Sequence, residues 1–155
     1  MTGSDWTSAG WRTRSLLRRT REVDAQSLFL LFRTFLLLLG AKLALKFVPV
    51  RKIIAWKQRP PAANPALSPA ELHQHNRTVR WAVLVVARYS PIDFVCFPRC
   101  LAASSLLRRQ GIESRLHYGV TRQNEKLVTH TWLEAAGEIV IGGEVAGDYS
   151  TLAVY

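Results

Sequence analysis

The sequence predicts an α+β fold, with helices in the first two thirds of the chain and a small antiparallel sheet in the last third. Apolar residues recur at helical spacing up to about residue 110, and beyond Gly111 the spacing changes to two. The length of 155 residues suffices for one domain and not for two independent enzymes. The runs with strand periodicity are IESRLHYGV, KLVTHTWLE, EIVIGG and STLAVY, with QNE and AAG as turn material.

The composition excludes several classes of protein. Hydrophobic residues make up 48% of the chain and charged residues 21%, which suits a packed core and excludes intrinsic disorder. Cys96 and Cys100 are the only cysteines, too few for a disulfide-stapled secreted scaffold. Four residues apart on a helix, they are also poorly placed to bond each other. We therefore expect a reducing compartment, the cytoplasm.

The net charge of +10 is concentrated near the N-terminus. Residues 1–60 carry twelve Lys or Arg against three acids, whereas the rest of the chain has nine basic residues against eight acidic ones. The sequence therefore divides into a basic, leucine-rich helical extension over 1–60 and a core over 61–155. Nucleic-acid binding is a second function class, suggested by these charges together with Trp6, Trp11 and Trp56. The charges flank a leucine-rich run and line no aromatic platform, so we expect no nucleic-acid partner.

The residue pattern of the extension predicts helical structure over 12–47. Ser27 is a candidate N-cap for the leucine-rich second part of this stretch. A membrane span needs about 20 mostly apolar residues, and three basic residues interrupt this run. They are Arg33, Lys42 and Lys46. The segment 28–47 is therefore predicted to pack on the rest of the domain or on a partner protein. A basic helix on a membrane surface, in a membrane-associated protein, is the alternative.

Proline and serine residues indicate where the helices of the core begin and end. Four prolines within 59–69 predict a linker between the two parts of the chain. Ser68 and Glu71 have the order of a capping box, so a helix begins there. Ser90 before Pro91 ends that helix, because the residue before proline avoids the helical conformation.

Cys96 is the candidate nucleophile. It lies in the first turn of a helix whose start is indicated by Pro98. Its sulfur is therefore expected beside unpaired N–H groups at the positive end of the helix dipole, which favours the reactive thiolate. His130 in the strand LVTHTWLE is the candidate acid and base, and it shares a face with Trp132 and Glu134. A thiol, an imidazole and an acceptor that orients the imidazole are the parts of nucleophilic cysteine catalysis.

The orienting acceptor is left open by the residue pattern. Pairing of the His130 strand with EIVIGGE through the AAG turn brings residues 142–144 opposite His130, and Glu144 is the nearest carboxylate. Glu134 shares a face with His130 but lies two pleats along, about 7 Å away. Glu138 sits at the turn. Glu144 is therefore the predicted third member, with Glu134 as the alternative.

A family pattern runs through nearly the whole chain, in CFPRCLAASSLLRRQGIESRLHYGV, HTWLEAAG and GDYSTL behind a leucine- and arginine-rich N-terminal region. These segments resemble the transglutaminase-like cysteine peptidases that mature lasso peptides, the leader-peptidase half of the split lasso-peptide B protein in the microcin-processing family. The resemblance implies a transglutaminase- or papain-like core with a Cys-His-acid triad. The nucleophile falls on Cys96 and the base on His130. Cys100 falls where a small residue is usual, and Gly142 about where Asp or Glu is usual.

The same resemblance implies a leader peptidase in a bacterial cytoplasm. Its substrate is a ribosomal precursor peptide, from which it removes the leader so that an ATP-dependent macrolactam synthetase can close the ring. Nothing before residue 60 has the pattern of a small strand-containing recognition domain, so a separate leader-recognition protein is expected, docked on the basic N-terminal helices. No cofactor is implied.

Two other interpretations use the same residues. Structural zinc sites bring their ligands in tight pairs on turns, whereas the two cysteines are helical and His117 and His130 stand on different strands. No metal site is predicted; His117 is expected to line a surface or cleft, and His73 and His75 to be solvated. A non-catalytic adaptor of the same fold remains as an alternative, because the acid position departs from the family pattern.

Overall fold

Helices and strands follow the predicted order in the computed structural model, which describes residues 24–57, 67–123, 126–144 and 146–155. The elements are α1 (Ala25–Phe47), α2 (Val50–Lys57), α3 (Pro69–Tyr89), α4 (Cys96–Arg109), β1 (Arg115–Gln123), β2 (Lys126–Ala135), β3 (Glu138–Ile141), a 3₁₀ turn (Ala146–Asp148) and β4 (Ser150–Val154). The predicted α+β fold is confirmed. The helical pattern over 12–23 and most of the proline-rich linker lie outside the described residues.

The first helix, α1, begins at Ala25, and Asp24 caps it instead of Ser27. Asp24 Oδ1 accepts a hydrogen bond from the backbone N–H of Ser27 at 2.7 Å. A carboxylate at this position satisfies an unpaired N–H group and suits the positive end of the helix dipole, which explains the correction. Hydrogen bonds from Ser27 hold the pKa of Asp24 below its usual value.

One side of α1 packs on the domain and the other side is exposed. Thr34 and Leu38 are buried, and Phe35 meets the ring of Phe94 edge-on, with centroids 6.5 Å apart. The exposed side carries large apolar residues at helical spacing. They are Leu28, Phe29, Phe32, Leu36, Leu43 and Phe47. We call these six residues the outer face of α1.

By length and composition, α1 is the single described helix that qualifies as a membrane span. This is weak evidence, because a helix in the core of a soluble protein meets the same criteria. The side opposite the outer face contacts α3 and α4, so α1 is part of the folded domain.

The predicted capping box at the start of α3 is present. Ser68 Oγ accepts from the Glu71 N–H at 3.3 Å, and Glu71 Oε2 accepts from the Ser68 N–H at 2.8 Å. Pro69 occupies the first turn, and Ser90 ends the helix as predicted. The two hydrogen bonds satisfy donors that the start of a helix leaves unpaired.

The fourth helix, α4, lies against the sheet and forms the centre of the core. Eight of its fourteen residues are buried: Pro98, Cys100, Leu101, Ala102, Ala103, Ser104, Leu106 and Leu107. The small side chains in this set let the helix approach the sheet closely. Leu116, Leu133 and Val140, from β1, β2 and β3, meet it with exposures of 2% or less.

The four strands form an antiparallel sheet in the order β3-β2-β1-β4. The pairing of β1 with β2 sets Gly119 opposite His130. The chain turns from β2 into β3 through Ala136 and Gly137, which both have positive φ (52° and 78°), the conformation of a two-residue type I′ hairpin. The pairing of β2 with β3 contains a register shift next to Leu133, so the end of β3 departs from simple alternation.

Lys57, at the end of α2, joins the helical part of the chain to the sheet. Its Nζ donates hydrogen bonds to the carbonyl oxygens of Ser114 at 2.7 Å and Tyr155 at 3.2 Å. Burial lowers the pKa of this ammonium group. Its two carbonyl partners offset part of the cost of that burial, and they fix the ends of β1 and β4 next to α2.

We expect Ser68→Ala to lower the free energy of unfolding by about 1 kcal/mol, because it removes the acceptor of the α3 capping box. Urea denaturation of the two proteins measures this difference. Ser68→Thr is the matched control, since it keeps a hydroxyl at the cap and most of the stability. Equal midpoints for wild type and Ser68→Ala would contradict a stabilising cap.

Candidate functional site

Cys96 is the first residue of α4. Val95 precedes it as N-cap and offers no side-chain hydrogen bond, so the first-turn N–H groups have no side-chain cap. Pro98 stands in the same turn, as predicted. The Cys96 side chain is half-buried and therefore still reachable from solvent. An anion formed at this place would meet backbone N–H donors and the positive end of the helix.

Cys100 lies one turn further along and is fully buried. Its Sγ donates to the carbonyl oxygen of Thr131 at 3.5 Å. Burial raises the pKa of the Cys100 thiol to about 12. A thiol that stays protonated at neutral pH is a poor nucleophile, so the sulfur of Cys100 serves the core and not the chemistry.

The contact between Cys100 and Thr131 shows where the start of α4 lies along β2. Residues four apart on a helix share a face and lie about 6 Å apart along the axis, so Cys96 lies one turn from this contact. His130 precedes Thr131 in β2. Within the described residues, no hydrogen bond joins Cys96 to His130. Side chains alternate along a strand, so His130 and Trp132 lie on the face of β2 opposite to Leu133, which packs on α4.

His130 is held between two aromatic rings and one carbonyl group. Its ring lies 5.2 Å from that of Tyr149 and stacks on Trp132 with centroids 6.3 Å apart. His130 Nε2 lies 3.0 Å from the carbonyl oxygen of Gly142. Since a carbonyl only accepts, Nε2 must carry the proton in this hydrogen bond, which leaves the lone pair on Nδ1 when the ring is neutral. Nδ1 has no hydrogen-bond partner among the described residues.

None of the three candidate carboxylates forms a hydrogen bond or ion pair with His130. Glu144, the predicted third member, forms an ion pair with Arg80 at 2.9 Å. Glu134, the alternative, lies 3.0 Å from His117 Nε2. Glu144 departs from its expected position because β3 ends at Ile141 and the chain turns at Gly142, so the carbonyl of Gly142 occupies the space beside His130.

Glu138 has partners of its own on α3. It lies 2.7 Å from His73 Nδ1 and accepts from Asn76 Nδ2 at 3.3 Å. Hydrogen bonds from His73 and Asn76 lower the pKa of this carboxyl group. This pair fastens the start of β3 to α3.

His117 stands on the other side of Trp132 from His130. Its ring stacks on the indole with centroids 5.3 Å apart and an interplanar angle of 7°. The two imidazoles are therefore separated by Trp132 and do not share a ligand. Among the residues that the structure describes, no group of three or more His, Cys, Asp or Glu side chains is arranged to hold a metal ion.

Two residues at His130 were not assigned a role by the sequence analysis. Gly142 was recognised only as the place where an acid is usual, and Tyr149 only as a letter in GDYSTL. A backbone carbonyl has no side-chain signature, so only the Gly-Gly pair that follows EIVI pointed to a special turn at Gly142. Tyr149 reaches His130 because β4 pairs with β1. No local sequence pattern predicts that pairing.

Comparison with known families supports the fold and the order of these elements. The family described as transglutaminase-like superfamily matches residues 35–154, which include α2 to α4 and the four described strands. Comparison with curated proteins and with solved structures found no match.

We expect iodoacetamide at pH 8 to modify Cys96 at least ~100-fold faster than Cys100 in the folded protein. With a pKa of about 12, Cys100 is ionised to about one part in ten thousand at that pH, and burial also shields it. Peptide mapping by mass spectrometry measures both rates, and unfolding in urea, which makes them similar, is the control. Faster labelling of Cys100 in the folded state would overturn the assignment of the two sulfurs.

Proposed function

Because the chain belongs to the transglutaminase-like superfamily, which includes cysteine peptidases, we propose that it is a cysteine peptidase that removes the leader from a lasso-peptide precursor. Two observations carry the proposal: a half-buried thiol stands at an uncapped helix start, and an imidazole of fixed orientation stands on the strand against which that helix packs. The lasso-peptide specificity rests on the resemblance of CFPRCLAASSLLRRQGIESRLHYGV, HTWLEAAG and GDYSTL.

The mechanism assigns one proton-transfer atom to the base. His130 Nδ1, which carries a lone pair, takes the thiol proton of Cys96. The thiolate attacks the carbonyl carbon at the leader–core junction, and the imidazolium gives its proton to the departing amine of the core peptide. Water then attacks the thioester while His130 takes a proton from it. The leader leaves as a carboxylic acid, and the proton returns to the Cys96 sulfur.

Backbone donors supply the stabilisation of the oxyanion. The tetrahedral intermediate places negative charge on the former carbonyl oxygen, next to the sulfur. The N–H groups of Cys96 and Phe97 lie in the first turn of α4, where no intrahelical carbonyl accepts from them. Pro98 has no N–H group, so the donor set at this helix start is limited to these two residues and their loop neighbours.

The proposal includes two partner proteins and a docking surface. A separate leader-recognition protein presents the precursor, and an ATP-dependent macrolactam synthetase uses the freed amine in the cytoplasm. We place the docking of the recognition protein on the outer face of α1, because six large apolar side chains exposed on one helix form a patch typical of protein interfaces. The exposed Lys46, Arg51 and Lys52 add positive charge beside it. Contact of 28–47 with a membrane surface is the competing outcome.

A non-catalytic adaptor is the second candidate function. It is favoured by the lack, within the described residues, of a hydrogen bond between Cys96 and His130 and of a carboxylate on His130. In that case the fold would present a precursor to the synthetase without cleaving it. The processing assay separates the two candidates.

We expect Cys96→Ala to abolish cleavage of a lasso precursor peptide in the presence of its leader-recognition protein, since the nucleophile is lost. Mass spectrometry detects the free leader and core. Cys100→Ala is the matched control, because it removes a buried sulfur that stays protonated, and we expect cleavage to continue. Normal processing by Cys96→Ala would favour the adaptor.

Substitution of Phe29 and Phe32 by Gln is expected to weaken binding of the leader-recognition protein by at least ~10-fold, because these side chains are exposed and lie on the outer face of α1. Isothermal titration calorimetry measures the affinity. Leu127→Gln, on the exposed part of β2, is the matched control. Unchanged affinity in the double variant, together with its loss of binding to anionic lipid vesicles, would assign the outer face to a membrane instead.

A further inference from the structure

We propose that the carbonyl group of Gly142 is the positioning group of His130, in place of the carboxylate that this kind of site normally has. The hydrogen bond from Nε2 to this oxygen, at 3.0 Å, is the only one that the imidazole makes among the described residues. It fixes the proton on Nε2 and leaves the lone pair of the neutral ring on Nδ1. The consequence for catalysis rests on the proposed function, but the tautomer does not.

The backbone at Gly142 requires glycine. Its φ is +80°, a conformation that residues with a side chain rarely adopt. A Cβ atom there would lie 2.8 Å from the carbonyl oxygen of Thr131 and 3.1 Å from His130 Nε2. Any larger residue would therefore push against the imidazole that its own carbonyl holds. The turn is built so that the backbone, and not a side chain, reaches the base.

Arg80 of α3 holds this turn from both sides. Its guanidinium donates to the Val140 carbonyl at 3.2 Å and to Glu144 at 2.9 Å, two residues before and two residues after Gly142. Glu144 thus acts on the turn and has no contact with His130. This arrangement explains how a glutamate close in sequence leaves the orienting position to the backbone.

Stacking restricts the remaining freedom of the ring. His130 lies between Trp132 and Tyr149, and Gly119 on the neighbouring strand leaves the room that they need. A Cβ atom at Gly119 would lie 2.7 Å from the Trp132 ring and 3.0 Å from Tyr149 Cβ. Ring orientation is therefore set by two aromatic contacts and one hydrogen bond.

A neutral acceptor changes the electrostatics of the base. A carboxylate stabilises the imidazolium by its full charge, whereas a carbonyl supplies only a dipole. The carbonyl therefore fixes the tautomer and direction of His130 while contributing less to the charged form. Stabilisation of a thiolate–imidazolium pair then falls mainly to the start of α4.

The test is the tautomer of His130, read from long-range ¹H–¹⁵N correlation spectra of the histidine rings in the full-length protein at pH 8. His130→Gln assigns the signal among the four histidines. We expect the Nε2–H tautomer in the wild type. An Nδ1–H tautomer in the wild type would overturn the proposal.

Gly142→Ala is the decisive variant. We expect it to lose the single Nε2–H signal and to lower the rate of Cys96 alkylation at least ~10-fold, because the ring no longer has a fixed direction. Gly137→Ala is the matched control: its φ of +78° imposes the same backbone strain, and a Cβ there meets nothing within 4 Å. Equal loss of the tautomer in both variants, or retention of it in Gly142→Ala, contradicts the proposal.

Substitution of the carboxylates tests the competing assignment. We expect Glu134→Gln, Glu138→Gln and Glu144→Gln each to keep the Nε2–H tautomer, and loss of it in any one would transfer the orienting role to that carboxylate. The spectra need no cleavage, so the two proposals fail separately. An Nε2–H tautomer without precursor processing would contradict the proposed peptidase function and support the positioning role of Gly142. Precursor processing with an Nδ1–H tautomer would support the peptidase and contradict the positioning role.

Discussion

Close packing of α4 on β2 is the constraint on which the other features of this structure depend. Cys100, Ala102 and Ala103 are small enough for the helix to lie against the strand, and Leu133 of β2 belongs to the same buried cluster. Because the sulfur of Cys100 meets the backbone of β2 at Thr131, the start of the helix lies one turn from the residue that follows His130 in the strand. A bulky residue in place of one of these small side chains would push α4 away from β2, since well-packed cores do not accommodate added volume without shifts of the backbone.

Near this contact, three glutamate side chains form hydrogen bonds or ion pairs that stabilise the fold. Glu138 and Glu144 tie the two ends of β3 to α3, and Glu134 lies beside His117. These three carboxylates therefore have structural partners, and His130 bonds a neutral carbonyl group instead. Around His130 the sheet supplies a backbone carbonyl and aromatic rings, while the start of α4 supplies unpaired backbone amides.

The starts and ends of the core helices could be predicted from the sequence, whereas the geometry of the turn after β3 could not. The capping box at Ser68 and the start of α4 before Pro98 are local signals, so they were predicted correctly. The α1 cap was misplaced because Asp24 and Ser27 are both good capping residues, and only the backbone decides between them. The acceptor for His130 depends on a register shift beside Leu133 and on the left-handed turn at Gly142, and pairing by simple alternation extends β3 too far.

The burial of Cys100 also determines how the protein responds to oxidants. Peroxide converts an accessible thiolate to a sulfenic acid, which is normally rescued when a neighbouring thiol condenses with it to form a disulfide. The chain has one other cysteine, and its sulfur is buried, protonated and directed at the Thr131 carbonyl. Cys96 therefore has no resolving partner within its own chain. Recovery from oxidation depends on an external thiol small enough to reach the start of α4.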